Sequence, residues 1–375
     1  MKLNSQVESL QFSLIRVLKN EASKYSDVID LTIGEPDIPT PRGLVYEAME
    51  YGKNHQLKYA TSGGGTLIGK LIADYYNRIY GGAYSEENII TNIGATEALS
   101  SAMRTILNPD DEVLMTIPYY PGYPAMIKLC YSKPIFVDIS KSEFRLTKEL
   151  LENYVTSKTK AILLSNPCNP TGNVMSYQEM QEIVTFVSER DIFLISDEIY
   201  SSLAFYEYHS FAEFESIRDK LIIINGFSKS HSMTGWRIGY TICPKEYRKY
   251  FLNTSFYTVS SSMTLSLKGA ELALIKYEDR NELVAEYRAR AEYLTEKLEK
   301  IGFRVLKPKG AFYIFADYSE LSDLDSLEFS IDVLKKTKVA VVPGAAFGVE
   351  KYVRFALTVD ISTLEKAMKR LEKYR

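Results

Sequence analysis

The chain is poor in the residues that build metal centres and disulfide scaffolds. Of 375 residues only three are cysteine (Cys130, Cys168, Cys243) and three are histidine (His55, His209, His231). The cysteines are far apart and form no CxxC pair. That argues against a disulfide framework or a zinc site and fits a reducing cytosol. The histidines are too scattered for a metal cluster, so no metal is expected. Neither sign of charge dominates: 45 Lys and Arg stand against 48 Asp and Glu, a net charge of −3. Such a balance leaves no electrostatic reason to expect nucleic acid or an anionic membrane. No uninterrupted apolar run approaches the roughly 20 residues that span a bilayer. The start, MKLNSQVESLQF, carries no apolar core of a secretion signal. Internal repeats and low-complexity segments are also missing. These absences predict a cytoplasmic protein without nucleic-acid or membrane partners.

What is present is material for a large core. An apolar fraction of 46% suffices for globular packing, and 375 residues exceed one ordinary core, so two domains are expected. Short apolar runs recur, and each delivers a turn. Residues 29–33 lead to Gly34-Glu35-Pro36-Asp37, and residues 88–91 lead to Gly94-Ala95-Thr96. Glu112 to Ile117 leads to Pro118-Tyr119-Tyr120-Pro121-Gly122-Tyr123. Residues 160–165 lead to Asn166-Pro167-Cys168-Asn169-Pro170-Thr171-Gly172, residues 192–195 to Ser196-Asp197-Glu198-Ile199-Tyr200, and residues 221–224 to the segment around Lys229. Helical spacing fills the gaps: Ala98, Leu99, Ala102, Met103 and Ile106 share one face. Met180, Ile183, Val184 and Val187 share another, behind a capping box at Ser176 and Glu179. Strand–helix alternation from about residue 40 to 275 predicts an α/β fold, a mostly parallel sheet with helices on both faces.

Three features carry chemistry. Gly94-Ala95-Thr96 opens a helix after a strand, and free backbone N–H groups at such a start favour an anion. Asp197 stands at the C-terminal end of a buried strand, where α/β proteins place ligand contacts. Lys229 lies among small polar residues, and burial of an amine in such surroundings lowers its pKa.

After Tyr240 the pattern changes. Residues 281–301 read as a long helix stopped by Gly302. Residues 303–306, 311–316, 339–342 and 352–357 read as strands. A second capping box, Ser362 to Glu365, is expected to open a last helix with Leu364, Ala367, Met368 and Leu371 inward. This is a small α+β domain. Leu10, Leu14, Val17 and Leu18 suggest an amphipathic N-terminal arm. The expected division is 1–40 for the arm and a small-domain segment, 41–275 for the large domain, and 276–375 for the small C-terminal domain.

The segment Asn225-Gly226-Phe227-Ser228-Lys229-Ser230-His231-Ser232-Met233-Thr234-Gly235-Trp236-Arg237-Ile238-Gly239-Tyr240 includes the only tryptophan. It resembles the lysine segment of the class I/II aminotransferases that use pyridoxal 5′-phosphate (PLP), fold type I. Five further motifs follow in the family's order, and the likeness covers nearly the whole chain. It implies that Lys229 holds PLP as a Schiff base, with Arg237 and Ser228 on its phosphate. Gly94, Ala95 and Thr96 would cup that phosphate, and Tyr59 would reach it across a homodimer interface. Near Tyr59 the chain departs from the family pattern with the triple glycine Gly63-Gly64-Gly65. Tyr120 would stack on the pyridine ring. Asn169 and Tyr200 would hydrogen-bond its ring oxygen, and Asp197 would keep its nitrogen protonated. Gly34, Asn169 and Arg354 would receive the substrate, with Arg354 forking its α-carboxylate.

The resemblance implies an aminotransferase exchanging an amino group between an amino acid and a 2-oxo acid such as 2-oxoglutarate. The closest likeness is to bacterial N-acetyl-diaminopimelate and aromatic aminotransferases. A PLP-dependent C–S lyase or decarboxylase on the same fold is the alternative, since motifs do not say which bond is broken. A non-catalytic PLP-binding regulator would carry a basic DNA-binding part before the aminotransferase-like one; the chain starts at the N-terminal arm and is net acidic, so that reading is not expected. Aspartate-specialised relatives add a cation for the distal carboxylate. At the helix-opening turn this chain has Thr96, and residues 253–266 contain no Arg or Lys. Aspartate is therefore expected to be a poor donor.

Overall fold

The computed structural model describes residues 1–10 and 13–374, so residues 11 and 12 of the expected arm lie outside it. Its strands are β1 Ile29–Asp30, β2 Ile89–Asn92, β3 Glu112–Ile117, β4 Lys133–Asp138, β5 Thr159–Ser165, β6 Phe193–Asp197, β7 Leu221–Gly226 and β8 Gly239–Ile242. The remainder are β9 Arg304–Val305, β10 Tyr313–Asp317, β11 Val339–Ala340, β12 Val342–Pro343 and β13 Tyr352–Ala356. Seven of them pair in the order β2-β8-β7-β6-β5-β3-β4. The β7-β6-β5-β3-β4 ladders are parallel, and only β8 runs antiparallel to its neighbours β7 and β2.

The apolar runs follow from burial on both faces. Val113, Met115, Ala161, Leu163, Ile195, Ile222 and Ile224 pack on one face, with Ala98, Leu99, Ala102 and Met103 of the helix Gly94–Ile106. Their alternates Leu114, Ile162, Leu164, Leu194 and Ile223 pack on the other, with Met180, Ile183, Val184 and Val187 of the helix Tyr177–Ser188. Successive residues point to opposite faces, so an isoleucine run such as 222–224 feeds two cores at once. The Ser176–Glu179 capping box is present in both directions: Glu179 N–H donates to Ser176 Oγ, and Ser176 N–H donates to Glu179 Oε2 over 2.8 Å.

The C-terminal part builds a second, antiparallel sheet, β12-β13-β10-β9. The helix Asn281–Ile301 covers it through Leu283, Tyr287, Leu294 and Leu298, and Gly302 ends that helix in the left-handed region. The N-terminal segment joins this part: β1 pairs with β11, and Ala356 N–H donates to Leu31 O over 2.8 Å.

Several expectations need correction. The last helix, Ile361–Leu371, is capped by Asp360 rather than Ser362. Asp360 accepts from Thr363 N–H and from the Ser362 hydroxyl, and these bonds hold its carboxyl down at about 2. A carboxylate two residues earlier outcompetes a hydroxyl for the same N–H groups. The strand at 339–342 is two strands in different sheets, because the chain crosses from β1 to β13 at Val341. The run from 311 becomes regular only at Tyr313, since Ala311 sits at a positive φ of 58°. In the arm, Leu18 is buried but Val17 is exposed. The inward positions of the helix Leu14–Ala22 are Ile15, Leu18 and Ala22.

Candidate active site

One edge of the large sheet collects the motifs that follow its parallel strands. β3, β5, β6 and β7 are parallel, and β2 runs in the same sense because β8 reverses twice between it and β7. Their C-terminal ends therefore deliver Tyr120, Asn169, Asp197, Lys229 and Gly94 to one side. A cavity of about 590 Å³ opens there. Among the sequence-predicted residues, Gly34, Ala95, Thr96, Tyr120, Asn169, Asp197, Tyr200, Ser228, Lys229, Arg237 and Arg354 line it. Gly94 lies directly beneath: a Cβ there would come within 2.8 Å of Arg237 Nη2, and its φ of +77° suits glycine. Tyr59 is the exception. It is 92% exposed and does not line the pocket.

Lys229 is half-buried and its Nζ donates to Gly34 O over 2.7 Å. Burial lowers its pKa to about 8, aided by the Arg237 and Arg354 charges and opposed by Glu35 and Asp197. Glycine at 34 makes room for Tyr313, since a Cβ would sit 2.4 Å from the Tyr313 hydroxyl. Asp197 is 5% exposed, and burial pushes its carboxyl up to about 6. The Tyr123 hydroxyl, donating over 2.7 Å, and the Ile199 N–H, over 3.2 Å, pull it back.

Arg354 on β13 crosses to this edge. It is 3% exposed, donates from Nη1 to Asn169 Oδ1 and from Nη2 to Thr32 O, both over 2.9 Å, and lies 4.2 Å above the Tyr313 ring. Its Nε is buried and has no partner among the described residues. Because Arg354 can only donate, it fixes the Asn169 amide with Oδ1 turned towards it, leaving Nδ2 without a bond among the described residues. The Tyr200 hydroxyl lies 3.1 Å from that of Tyr313. At the opposite wall, the helix Gly94–Ile106 begins without a side-chain cap, so its first N–H groups are open beside Ser228 and Arg237.

This geometry is matched by similarity over the whole chain. Residues 26–371 match the family Aminotransferase class I and II. The chain belongs to that family. It is 38% identical to the probable N-acetyl-LL-diaminopimelate aminotransferase of Bacillus subtilis (strain 168), covering 99% of this chain and 95% of that protein. Against the aspartate aminotransferase of Bacillus sp. (strain YM-2) identity is 34%, covering 100% and 98%. Among solved structures, the aromatic aminotransferase from Pyrococcus horikoshii OT3 superposes with a TM-score of 0.90 at 34% identity, covering 95% and 98%. This aminotransferase thus acts between amino acids and 2-oxo acids, in a family that works with PLP.

Four groups of the aminotransferase site escaped the sequence reading. Tyr123 and Tyr313 are two of 28 tyrosines, and Thr32 acts through its backbone. Lys19 reaches the pocket from the helix Leu14–Ala22. The one available signal was its spacing four residues after Ile15 on an otherwise apolar face. Among the described residues no helix is long and apolar enough to cross a membrane.

Proposed function

We propose that this aminotransferase holds PLP in the large pocket and uses it to exchange the amino group of a bulky amino acid with 2-oxoglutarate. The observation that carries the reading is the meeting in one cavity of Asp197 and Lys229, from the ends of β6 and β7, with Arg354 from the middle of β13. The residues present fit the cofactor on several counts. An uncapped helix start beside Ser228 and Arg237 suits a phosphate dianion. Asp197 is a buried carboxylate whose charge calls for a cationic ring N–H. The free Nδ2 of Asn169 and the hydroxyl of Tyr200 suit a ring oxygen, and Tyr120 offers a flat face. Bound there, PLP supplies an electron sink for charge developing at the substrate α-carbon.

The protein's own residues do the rest. Lys229, its pKa lowered by burial to about 8, holds the cofactor and then takes the α-proton as general base. Arg354 receives the α-carboxylate, its orphaned Nε and planar fork matching two oxygens. We place Tyr59 at a homodimer interface, where its exposed ring would reach the partner's site, and the enzyme in the cytoplasm on its cysteine usage. Donors larger than aspartate are favoured: aromatic amino acids, or an acylated diamino acid as named for the Bacillus subtilis relative. Thr96 gives a short distal carboxylate no charge partner, and an uncompensated charge in a partly dry pocket is costly.

A donor panel tests this. The purified protein is mixed with aspartate, tyrosine, phenylalanine and N-acetyl-diaminopimelate, and the cofactor absorbance is followed in a single turnover before adding 2-oxoglutarate. Steady keto-acid exchange without ammonia is expected, with aspartate lowest in kcat/KM. Ammonia or carbon dioxide release as the main outcome would replace transfer by lyase or decarboxylase chemistry.

A further inference from the structure

The pocket is lined by four cations, Lys19, Lys229, Arg237 and Arg354, and by two carboxylates, Glu35 and Asp197. The proposed reading employs three of the cations and one carboxylate. Lys19 is left over. It stands one turn after Ile15, and both line the cavity, as residues four apart on one helix face do. The helix that carries them is fixed in place, because Leu18 beside them on the adjoining face is buried against Leu334 and Ala340. Lys19 therefore projects from a seated element, not from a free tail.

Its charge is uncommitted. Among the described residues its side chain makes no hydrogen bond and no ion pair. Glu21, on the same helix, is paired with Lys24 over 2.5 Å. Glu35, the other ionisable group left over in the pocket, accepts a hydrogen bond from the Thr234 hydroxyl. The two leftover cavity charges are thus not spent on each other.

The cations are also arranged in depth. Arg354 is at the buried end, tied to Asn169 and Thr32. Lys19 is exposed, at the solvent end. A substrate gripped by its α-carboxylate at Arg354 and attacked beside Lys229 sends its side chain outward along that line. We propose that Lys19 is a specificity residue that pairs with a second, distal carboxylate on the amino donor or the 2-oxo acid, and so selects long dicarboxylic substrates over neutral ones of equal length. This deepens the aminotransferase reading and rests on it. A lysine suits the task, since a point charge on a flexible four-carbon stem can meet carboxylates at several reaches. Aspartate, whose second carboxylate is one methylene from the α-carbon, stays too deep to use it. The proposal thus supplies the distal cation that the sequence reading did not find, at a place where only longer acids benefit.

The experiment compares 2-aminoadipate with norleucine, equal in length and differing in the distal carboxylate, in the wild type, Lys19→Met and Lys19→Arg. The ratio of their kcat/KM values is expected to fall about fivefold in Lys19→Met, the upper end for a solvent-exposed pair. The loss should appear in KM rather than kcat, Lys19→Arg should restore most of it, and added salt should shrink the wild-type ratio. An unchanged ratio in Lys19→Met overturns the proposal. A second readout needs no turnover: calorimetric binding of adipate, a dicarboxylate without an amino group, should weaken in Lys19→Met. Equal affinity in both proteins overturns the proposal even if the transamination reading itself fails, and a wild type that transaminates neither amino acid counts against that reading alone.

Discussion

The Tyr123 hydroxyl donates to Asp197 Oδ2 over 2.7 Å, joining the first turn of the helix Gly122–Leu129 to the end of β6. Both groups are buried. Burial alone drives the carboxyl upward, and this bond is the largest influence holding it down, ahead of the Ile199 N–H and the Lys229 charge. Tyr123 is therefore a positioning residue that keeps Asp197 ionised and aimed.

Tyr123→Phe keeps the ring and removes the donor. Asp197 must be charged to act, so raising its pKa moves the acid limb of the kcat/KM profile to higher pH. A hydrogen bond to a charged group is worth roughly 1.5–3 kcal/mol, about one to two pKa units, so from a start of about 6 the ionised fraction at pH 7, and kcat/KM with it, should fall about twofold to fifteenfold. Recovery at higher pH separates this role from simple packing, which would lower the whole profile without moving the limb.

Lys229 sets the second prediction. With its pKa lowered to about 8, roughly a tenth of the amine is neutral at pH 7. Covalent capture of added PLP by the cofactor-free protein should accelerate with pH and level off above about 8. An unshifted lysine would keep accelerating towards pH 10. Lys229→Ala should lose nearly all turnover and yield no borohydride-trapped linkage; trapping on another lysine would show the assignment to be wrong.

How much of this was legible follows from the range of the interactions. The sheet was readable because strands buried on both faces must be apolar throughout, and turns at their ends carry local Gly, Pro and Asn. The helix over 281–301 and its Gly302 stop were equally local. What escaped depends on distant partners. Arg354 was named through the family resemblance alone, because it meets Asn169 and Thr32 across 185 and 322 positions and no spacing rule announces such a meeting. Tyr123 differs from other tyrosines only in what lies above its hydroxyl. Lys19 reads as a solvated helix charge until the fold brings its helix to the pocket. The mistaken cap at Ser362 was a local competition, decided by an aspartate two residues earlier.

Glu198, next to Asp197, is fully buried and accepts from Ser196, Ser210 and Phe211 N–H. Burial pushes its pKa up to about 7 from an ordinary 4.5. Between these values the folded protein holds a proton that the unfolded chain releases, so stability falls as pH rises through the window and levels off above it. Glu198 contributes on the order of 3 kcal/mol to this decline. Buried His231, its pKa lowered to about 4, opposes this with a rise of stability over much of the same range. The Glu198 contribution is therefore read from the difference in Tm between wild type and Glu198→Gln, which should move in favour of the variant as pH rises from 4.5 to 7.

Tyr59 concerns the assembly. Its ring is almost wholly in solvent in the single chain and so is free to meet a second copy. Sedimentation should show a dimer, and Tyr59→Phe should weaken PLP retention by about 1 kcal/mol, the net worth of one hydrogen bond. A fully active monomer would remove the basis for this role.

Arg354 allows the sharpest separation of binding from structure. In the cavity it is desolvated, and burial lowers its pKa, although two of its nitrogens already have oxygen partners. The third, Nε, has none, and a buried unsatisfied donor is a cost that folding alone does not explain. An incoming carboxylate would relieve it. Arg354→Lys keeps the charge but offers a point donor in place of a fork, and it withdraws the bond to Asn169. The α-carboxylate then loses one of two charge-assisted bonds, roughly 1.5–3 kcal/mol, so KM for amino acids should rise about tenfold to a hundredfold. The decisive comparison is a primary amine with the same side chain and no carboxylate, reacting slowly in both proteins. If Arg354 binds the carboxylate, the amino acid's advantage over that amine collapses in Arg354→Lys. Were Arg354 only a brace between β13 and the turn at Asn169, both substrates would slow together and the advantage would survive.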